Sequence, residues 1–115
     1  MILVIGGAYQ GKQKFAEELL EKKKESGKEG SIFPQFHEWV RTCMEADRNI
    51  EEELREKLAQ DPEQIIVCNE LGCGVVPIDA GERAWRERTG RLCCELAKQA
   101  DAVYRVTCGI GTRIK

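Results

Sequence analysis

The sequence predicts an α/β fold in which a short, mainly parallel β-sheet lies between two layers of helices. Three apolar runs, at positions 2–5, 65–68 and 103–108, are rich in β-branched residues, as is typical of strands buried on both faces. Segments with helical periodicity separate these runs. Such an alternation indicates a parallel sheet with crossover connections over its faces. Ligands of these sheets collect at the carboxyl ends of the strands.

Apolar residues recur at helical spacing in four segments. In chain order these segments cover residues 12–20, 36–44, 50–58 and 85–100. Asn49 is a suitable N-cap for the third helix, and Asp61 followed by Pro62 is expected to end it. The short apolar piece at positions 32–34 contains Pro34, which restricts it to an edge strand or a loop.

Length and composition limit the function classes. At 115 residues the chain is long enough for one hydrophobic core, and we expect a single domain over residues 1–115. The formal net charge of -2 gives no general attraction to nucleic acid. The apolar run at positions 1–5 is too short for a signal peptide, and no run reaches the ~18 apolar residues of a membrane span. We therefore expect a soluble cytoplasmic protein.

The six cysteines and the single histidine form no recognisable metal motif. The sequence contains no C-x-x-C pair, so a zinc site would need four scattered ligands. Because the cysteines lie mostly within apolar patterns, we expect reduced, buried thiols. Cys94 directly follows Cys93 on a helix and is expected to be partly exposed. His37 lies at the edge of an apolar helix stripe, where a partly buried structural histidine is the default interpretation.

A glycine-rich segment after the first apolar run matches the G-x-x-x-x-G-K spacing of a phosphate-binding loop. Its residues are Gly6, Gly7, Ala8, Tyr9, Gln10, Gly11 and Lys12. Glycines let backbone N–H groups turn toward an anion, the following helix presents its free N–H groups, and the ammonium of Lys12 would reach the terminal phosphates. We predict that residues 6–13 bind the phosphates of a nucleotide. A glycine-rich turn without a ligand is the alternative.

Gln13 departs from this motif, which ends in Ser or Thr, whose hydroxyl binds Mg²⁺. Binding of Mg²⁺ therefore stays an open question at this point. Glu70 follows the second apolar run, and we expect its carboxylate in the crevice near the phosphates. There it would hold Mg²⁺ or accept a proton from an attacking hydroxyl. A solvent-exposed loop cap is the alternative role for Glu70.

The last predicted helix has a basic side made by four arginines: Arg83, Arg86, Arg88 and Arg91. These side chains would either clamp phosphates or pair with acidic residues of the same helix: Glu82, Glu87 and Glu95. We favour pairing for most of them.

Three blocks of sequence carry a family resemblance. Residues 1–8 with Gly11 and Lys12 form an N-terminal strand and a double-glycine loop. Residues 69–77 read NELGCGVVP, and residues 89–115 combine a TGR segment with the ending GIGTRIK. These blocks cover about half of the chain. They are similar, in the same order, to blocks of the adenosylcobinamide kinase/adenosylcobinamide-phosphate guanylyltransferases of cobalamin (vitamin B12) biosynthesis.

The resemblance implies a small, three-layer, P-loop NTPase-like domain that binds ATP or GTP. Family members phosphorylate the hydroxyl of the aminopropanol arm of adenosylcobinamide and then transfer GMP to that phosphate. On this basis Lys12, Glu70 and His37 are candidate catalytic residues, and Glu70 is the candidate ligand of Mg²⁺. Full-length members are oligomers, so a homo-oligomer is a further expectation.

The sequence also departs from the family. Full-length members are considerably longer, and neither their histidine-rich segment nor their second acidic strand is recognisable here. His37 stands in a different sequence context. Two hypotheses follow: a reduced enzyme acting on a cobinamide-type substrate, and a nucleotide-binding or regulatory homologue without turnover, which Gln13 favours. A purely structural or interaction domain would leave both glycine loops without a role.

Overall fold

A computed structural model describes residues 1–72 and 76–115. It contains, in chain order, β1 (Ile2–Gly6), α1 (Lys12–Glu25), β2 (Ile32–Phe33), α2 (Phe36–Glu45), α3 (Ile50–Gln60), β3 (Ile65–Asn69), α4 (Ala80–Gln99), β4 (Ala102–Thr107) and β5 (Ile110–Arg113). The predicted α/β fold class is confirmed. The block at residues 69–77, which carries part of the resemblance, lies partly outside the described residues.

The strands form one sheet in the order β2-β3-β1-β4-β5. β1 is central and runs parallel to both neighbours, with Ile2 opposite Ile65 of β3 and Ala102 of β4. β2 is parallel to β3 at one edge, and β5 is antiparallel to β4 at the other. The sheet is therefore mainly parallel, as the sequence predicted.

Different helices bury the two faces of the sheet. On one face Leu3 and Ile66 pack with Phe36 of α2, Leu54 of α3 and Leu96 of α4. On the other face α1 covers a smaller cluster, which contains Val4, Ala16, Ile65, Val67 and Val106. Neighbouring residues of a strand point to opposite faces. The continuous apolar runs of β1 and β3 are explained by this burial on both sides.

Side-chain caps start two of the helices. The side-chain oxygen of Asn49 accepts a hydrogen bond from the backbone N–H of Glu52 at 3.1 Å, which confirms the predicted N-cap of α3. The carboxylate of Asp79 accepts from the N–H of Glu82 at 3.0 Å at the start of α4. Each such cap satisfies a backbone donor that the helix leaves free and contributes about 1 kcal/mol.

β5 has no counterpart among the strands predicted from the sequence. A two-residue turn, with Cys108 at φ 52° and Gly109 at φ 76°, connects it to β4. Positive φ at both central positions is the geometry that matches the twist of a β-hairpin. β5 is an edge strand whose side chains are mostly exposed. It therefore lacks the apolar alternation by which a half-buried strand is recognised.

The arginines of α4 have partners both within the helix and outside it. Arg91 pairs with Glu87 at 2.6 Å, as expected. The expectation is wrong for Arg88, which contacts Glu51 of α3 at 2.5 Å. It is also wrong for the expected acidic partners Glu82 and Glu95, which pair with Arg41 of α2 and with Lys98. For Arg88 and Glu82 the reason is tertiary, because α3 and α2 bring charged side chains within reach of α4, whereas Glu95 pairs with a lysine of α4 itself.

The cysteines of the described part of the chain are free thiols. Cys43 and Cys68 are buried, and Cys94 is exposed, in line with the sequence analysis. Cys108 differs from the general expectation of buried thiols, because it occupies the tight turn of the β4–β5 hairpin. Among the described residues, no helix has both the length and the apolar character needed to cross a membrane.

We predict that Gly6→Ala destabilises the fold by about 1–3 kcal/mol, because the added Cβ overpacks a tight contact. That Cβ would lie 2.5 Å from the backbone carbonyl oxygen of Val106 on β4. Gly90→Ala in α4 is the control: its Cβ meets no atom within 4 Å, and alanine favours a helix by about 1 kcal/mol over glycine. Urea unfolding followed by circular dichroism measures both. A Gly6→Ala protein as stable as the wild type would contradict the close contact.

Candidate phosphate-binding site

The site lies beside the central strand β1, where the crossover connections change from one side of β1 to the other. From β1 the chain passes through α1 to β2 at one edge, and from β3 it passes through α4 to β4 on the other side of β1. β1 and β3 are neighbours, so their carboxyl ends form a crevice of the kind in which α/β proteins bind ligands. The N–H of Glu70 donates to the carbonyl of Gly6 at 2.9 Å and joins the two strand ends there.

A cleft of about 510 Å³ opens at this crevice. The lining residues are Ala8, Tyr9, Gln10, Gly11, Lys12, Gln13, Lys14, Pro34, Gln35, His37, Val67 and Asn69. Six of the eight predicted nucleotide-binding residues are in this set, and Gly6 and Gly7 lead into the loop from β1. The structure thus brings together the glycine loop, the start of α1 and the end of β3.

The loop bends through left-handed backbone at two positions. Gly11 has φ 89°, and a Cβ at this position would lie 3.2 Å from the Cα of Gly109. Tyr9 has φ 60°, which is uncommon for a residue with a side chain, and its ring is fully exposed. Glycine at position 11 thus serves both the turn and the close approach of the β4–β5 hairpin.

Gln10 connects the loop to this hairpin. Its backbone carbonyl accepts from the N–H of Gly109, and its side-chain oxygen accepts from the N–H of Cys108, both at 2.7 Å. Sequence analysis did not find this contact, which joins positions 98 residues apart. The local sequence signal is a polar side chain, Gln10, directly before Gly11 in the loop. The contact holds the loop in place from outside the cleft.

Lys12 is the first residue of α1 and is 7% exposed. Its amino group donates to the carbonyl of Gly7 at 2.6 Å, so the side chain folds back over the loop. Burial lowers the pKa of Lys12 below its usual value of 10.5, and the nearby charge of Glu70 acts in the opposite direction. A buried ammonium held by one carbonyl is well placed to gain from an anion in the cleft.

His37 lies at the start of α2 and is 7% exposed. Its Nδ1 accepts a hydrogen bond from the backbone N–H of Asn69 at 3.1 Å, and its backbone carbonyl accepts from the indole N–H of Trp85 at 2.7 Å. Burial lowers the pKa of His37, and Lys12 and Arg41 act in the same direction while Glu38 opposes them. The ring is therefore a neutral acceptor that fixes the end of β3.

Glu70 is held by Arg105 of β4. The guanidinium donates from Nε to Oε1 at 2.9 Å and from Nη2 to Oε2 at 3.0 Å, so both carboxylate oxygens are engaged. Asn69, the preceding residue, lines the cleft instead, because successive side chains of a strand point to opposite sides. The sequence signal that could have indicated this pair is Arg105, a charged residue near the end of a buried strand.

The donor set of the cleft does not fit Mg²⁺. This ion prefers carboxylate oxygens, a hydroxyl and water in octahedral geometry. Among the described residues that line the cleft, none carries a carboxylate, and Gln13 stands where the hydroxyl would be. Among the described residues, no group of three or more His, Cys, Asp and Glu side chains is placed to hold a metal.

We predict that protonation of His37 destabilises the fold below pH 6.5. Because its pKa is lower in the folded chain than the ordinary 6.5, the unfolded chain takes up the proton first. The stability gained from the neutral ring is complete above this pH and is lost as the pH falls. Unfolding of the wild type and of His37→Asn, which keeps an acceptor but does not titrate, measures this difference between pH 5 and 8. Equal pH slopes would contradict the role of the ring.

Comparison with known proteins places the chain in a family. The family model described as cobinamide kinase / cobinamide phosphate guanyltransferase matches residues 32–114. The bifunctional adenosylcobalamin biosynthesis protein CobU of Salmonella typhimurium is 35% identical over an alignment of 82 residues, and the match covers 68% of this chain and 44% of that protein. CobU of Escherichia coli is 36% identical over 80 residues, with the same two shares.

The matched region begins at β2, after the glycine loop and α1. It covers less than half the length of either relative. Within this chain, however, it includes residues 69–77 and all but the last residue of 89–115, which are two of the three blocks that carry the resemblance. The resemblance stated from the sequence is thereby confirmed, and the chain belongs to the cobinamide kinase/cobinamide phosphate guanyltransferase family.

Proposed function

We propose that this chain binds the phosphates of ATP or GTP in the cleft and transfers a phosphoryl group to a cobinamide-type substrate. One observation carries the proposal: the buried amino group of Lys12 lies over the glycine loop at the β1–β3 crevice, 2.6 Å from the carbonyl of Gly7. An anion that enters this crevice meets a cation, the loop and the start of α1 together.

Electrostatics favour a phosphate there. The first N–H groups of α1 have no partner within the helix and carry the positive end of its dipole. Lys12 and Lys14 add two cations, while the other polar side chains of the cleft are amides, a tyrosine and the neutral ring of His37. A polyphosphate would therefore gain charge-assisted hydrogen bonds without facing a carboxylate in the lining.

Membership of the family supports a cobinamide as the acceptor. The relatives are named as bifunctional proteins of adenosylcobalamin biosynthesis, and the family description includes a kinase and a guanyltransferase. We propose the kinase half for this chain. The guanylyl half needs an accessible nucleophile, whereas His37 is only 7% exposed although it lines the cleft, with Nδ1 occupied by the N–H of Asn69 and Nε2 3.9 Å from Oε1 of Glu38.

A second candidate function is nucleotide binding without turnover. The ion pair between Glu70 and Arg105 favours it, because phosphoryl transfer depends on charge placed around the transferring group. To accept a proton from a substrate hydroxyl, Glu70 would have to exchange part of its contact with Arg105 for the substrate. Binding alone requires no such change.

We predict that Lys12→Ala weakens the binding of ATP or GTP by about tenfold or more, the usual effect of losing a charged hydrogen-bond donor. Removing this buried ammonium also removes its desolvation cost, so the variant is expected to fold. Lys22→Ala is the matched control, since the exposed Lys22 lies on the same helix, about 15 Å further along.

Isothermal titration calorimetry with both nucleotides measures these affinities. The wild type and Lys22→Ala are expected to agree to within about twofold, because a charge so far away is screened. Absence of binding by the wild type would overturn the proposed function. Equal affinities of the wild type and Lys12→Ala would overturn the role given to Lys12.

We further predict that the chain transfers label from the γ-position of ATP or GTP to adenosylcobinamide and that Lys12→Ala loses this activity. Chromatography of the corrinoid after incubation detects the phosphorylated product. If the substrate stays unchanged while the nucleotide still binds, phosphoryl transfer is excluded and nucleotide binding without turnover is the function supported. A GMP adduct on the protein that survives His37→Ala would exclude His37 as its acceptor.

A further inference from the structure

We infer that the cleft binds nucleotide phosphates without any metal ligand from this chain, so that Mg²⁺ weakens binding. The inference rests on the proposed nucleotide binding and not on turnover. The preferred ligand is then the free polyphosphate with its full negative charge, and not its complex with Mg²⁺. Three features of the described residues carry it.

The first feature is the residue after Lys12. A hydroxyl at this position would face the phosphates and the metal. The amide of Gln13 instead points along α1, where its Nε2 donates to Oε1 of Glu17 at 3.4 Å. Gln13 is exposed at the rim of the cleft, and its amide oxygen is a neutral ligand on a side chain that solvent surrounds. It is a poor replacement for a fixed hydroxyl.

The second feature is the engagement of Glu70, the carboxylate that follows β3. Both oxygens of Glu70 accept from Arg105, at 2.9 and 3.0 Å, and only 17% of the Glu70 side chain is exposed. To ligate Mg²⁺, this carboxylate would have to leave a bidentate ion pair. Residues 73–75 of the sequence are Cys, Gly and Val, which have neither a carboxylate nor a hydroxyl.

The third feature is the charge of the lining. Lys12 and Lys14 are the ionised side chains among the described residues that line the cleft, and they stand at the positive end of α1. A divalent cation is repelled by this set, whereas a polyphosphate is attracted in proportion to its own negative charge. Bound Mg²⁺ cancels two of those charges and occupies oxygens that the lysines would contact.

The test is the affinity of the full chain for inorganic tripolyphosphate and for GTP, each measured by calorimetry in EDTA and in excess Mg²⁺ at equal ionic strength. We expect affinity on the order of tenfold weaker with Mg²⁺. Gln13→Thr restores the hydroxyl, so Mg²⁺ is expected to weaken its binding less or to strengthen it. Gln13→Ala is the matched control and is expected to respond to Mg²⁺ as the wild type does.

The outcomes are distinguishable. Tighter binding of either ligand by the wild type in Mg²⁺ would overturn the inference while leaving the proposed nucleotide binding in place. A changed Mg²⁺ response in Gln13→Ala would also overturn it, because the amide oxygen would then be a ligand. No binding of GTP with or without Mg²⁺ would overturn the proposed function itself.

Discussion

The candidate site depends on the close packing of the glycine loop against the neighbouring strand and hairpin. A Cβ at Gly6 would meet the carbonyl of Val106, and one at Gly11 would meet the Cα of Gly109. Gln10 adds two hydrogen bonds to the same hairpin turn. A loop of this kind loses much conformational entropy when it is ordered. These contacts supply the order from outside the cleft, before any ligand binds.

This packing also gives the C-terminal glycines a physical role. Gly109 adopts positive φ in the turn that meets Gln10, and a Cβ at Gly111 would overlap the ring of Phe15 on α1. The glycine-rich ending of the chain is thus the surface against which the N-terminal loop and helix rest. The family match covers this hairpin although it begins after the loop. The two ends of the chain are therefore parts of one local structure.

The charged side chains of the site lie on opposite sides of the sheet. On the α1 side, the cleft combines the helix start with Lys12 and uncharged polar groups. On the opposite side, Glu70 and Arg105 neutralise each other across the central strand. His37 stays neutral and connects α2 to the end of β3 through Asn69. A lining with two lysines and no carboxylate, beside a Glu70 that is already paired, is the arrangement from which the inference about Mg²⁺ follows.

The sequence alone determined the α/β class, the order of helices and strands up to β4, the N-cap at Asn49 and the position of the glycine loop. These features depend on local periodicity, composition and turn chemistry, which neighbouring residues carry. Tertiary structure decided the pairing of Glu70 with Arg105, the partners of the α4 charges, the contact of Gln10 with the hairpin and the existence of β5. The three contacts join residues that only strand order or helix packing brings together, and β5 lies on an exposed edge of the sheet. None of them therefore leaves a periodic pattern in the sequence. The glycine loop was therefore predictable as a segment, whereas the groups that surround the cleft were not.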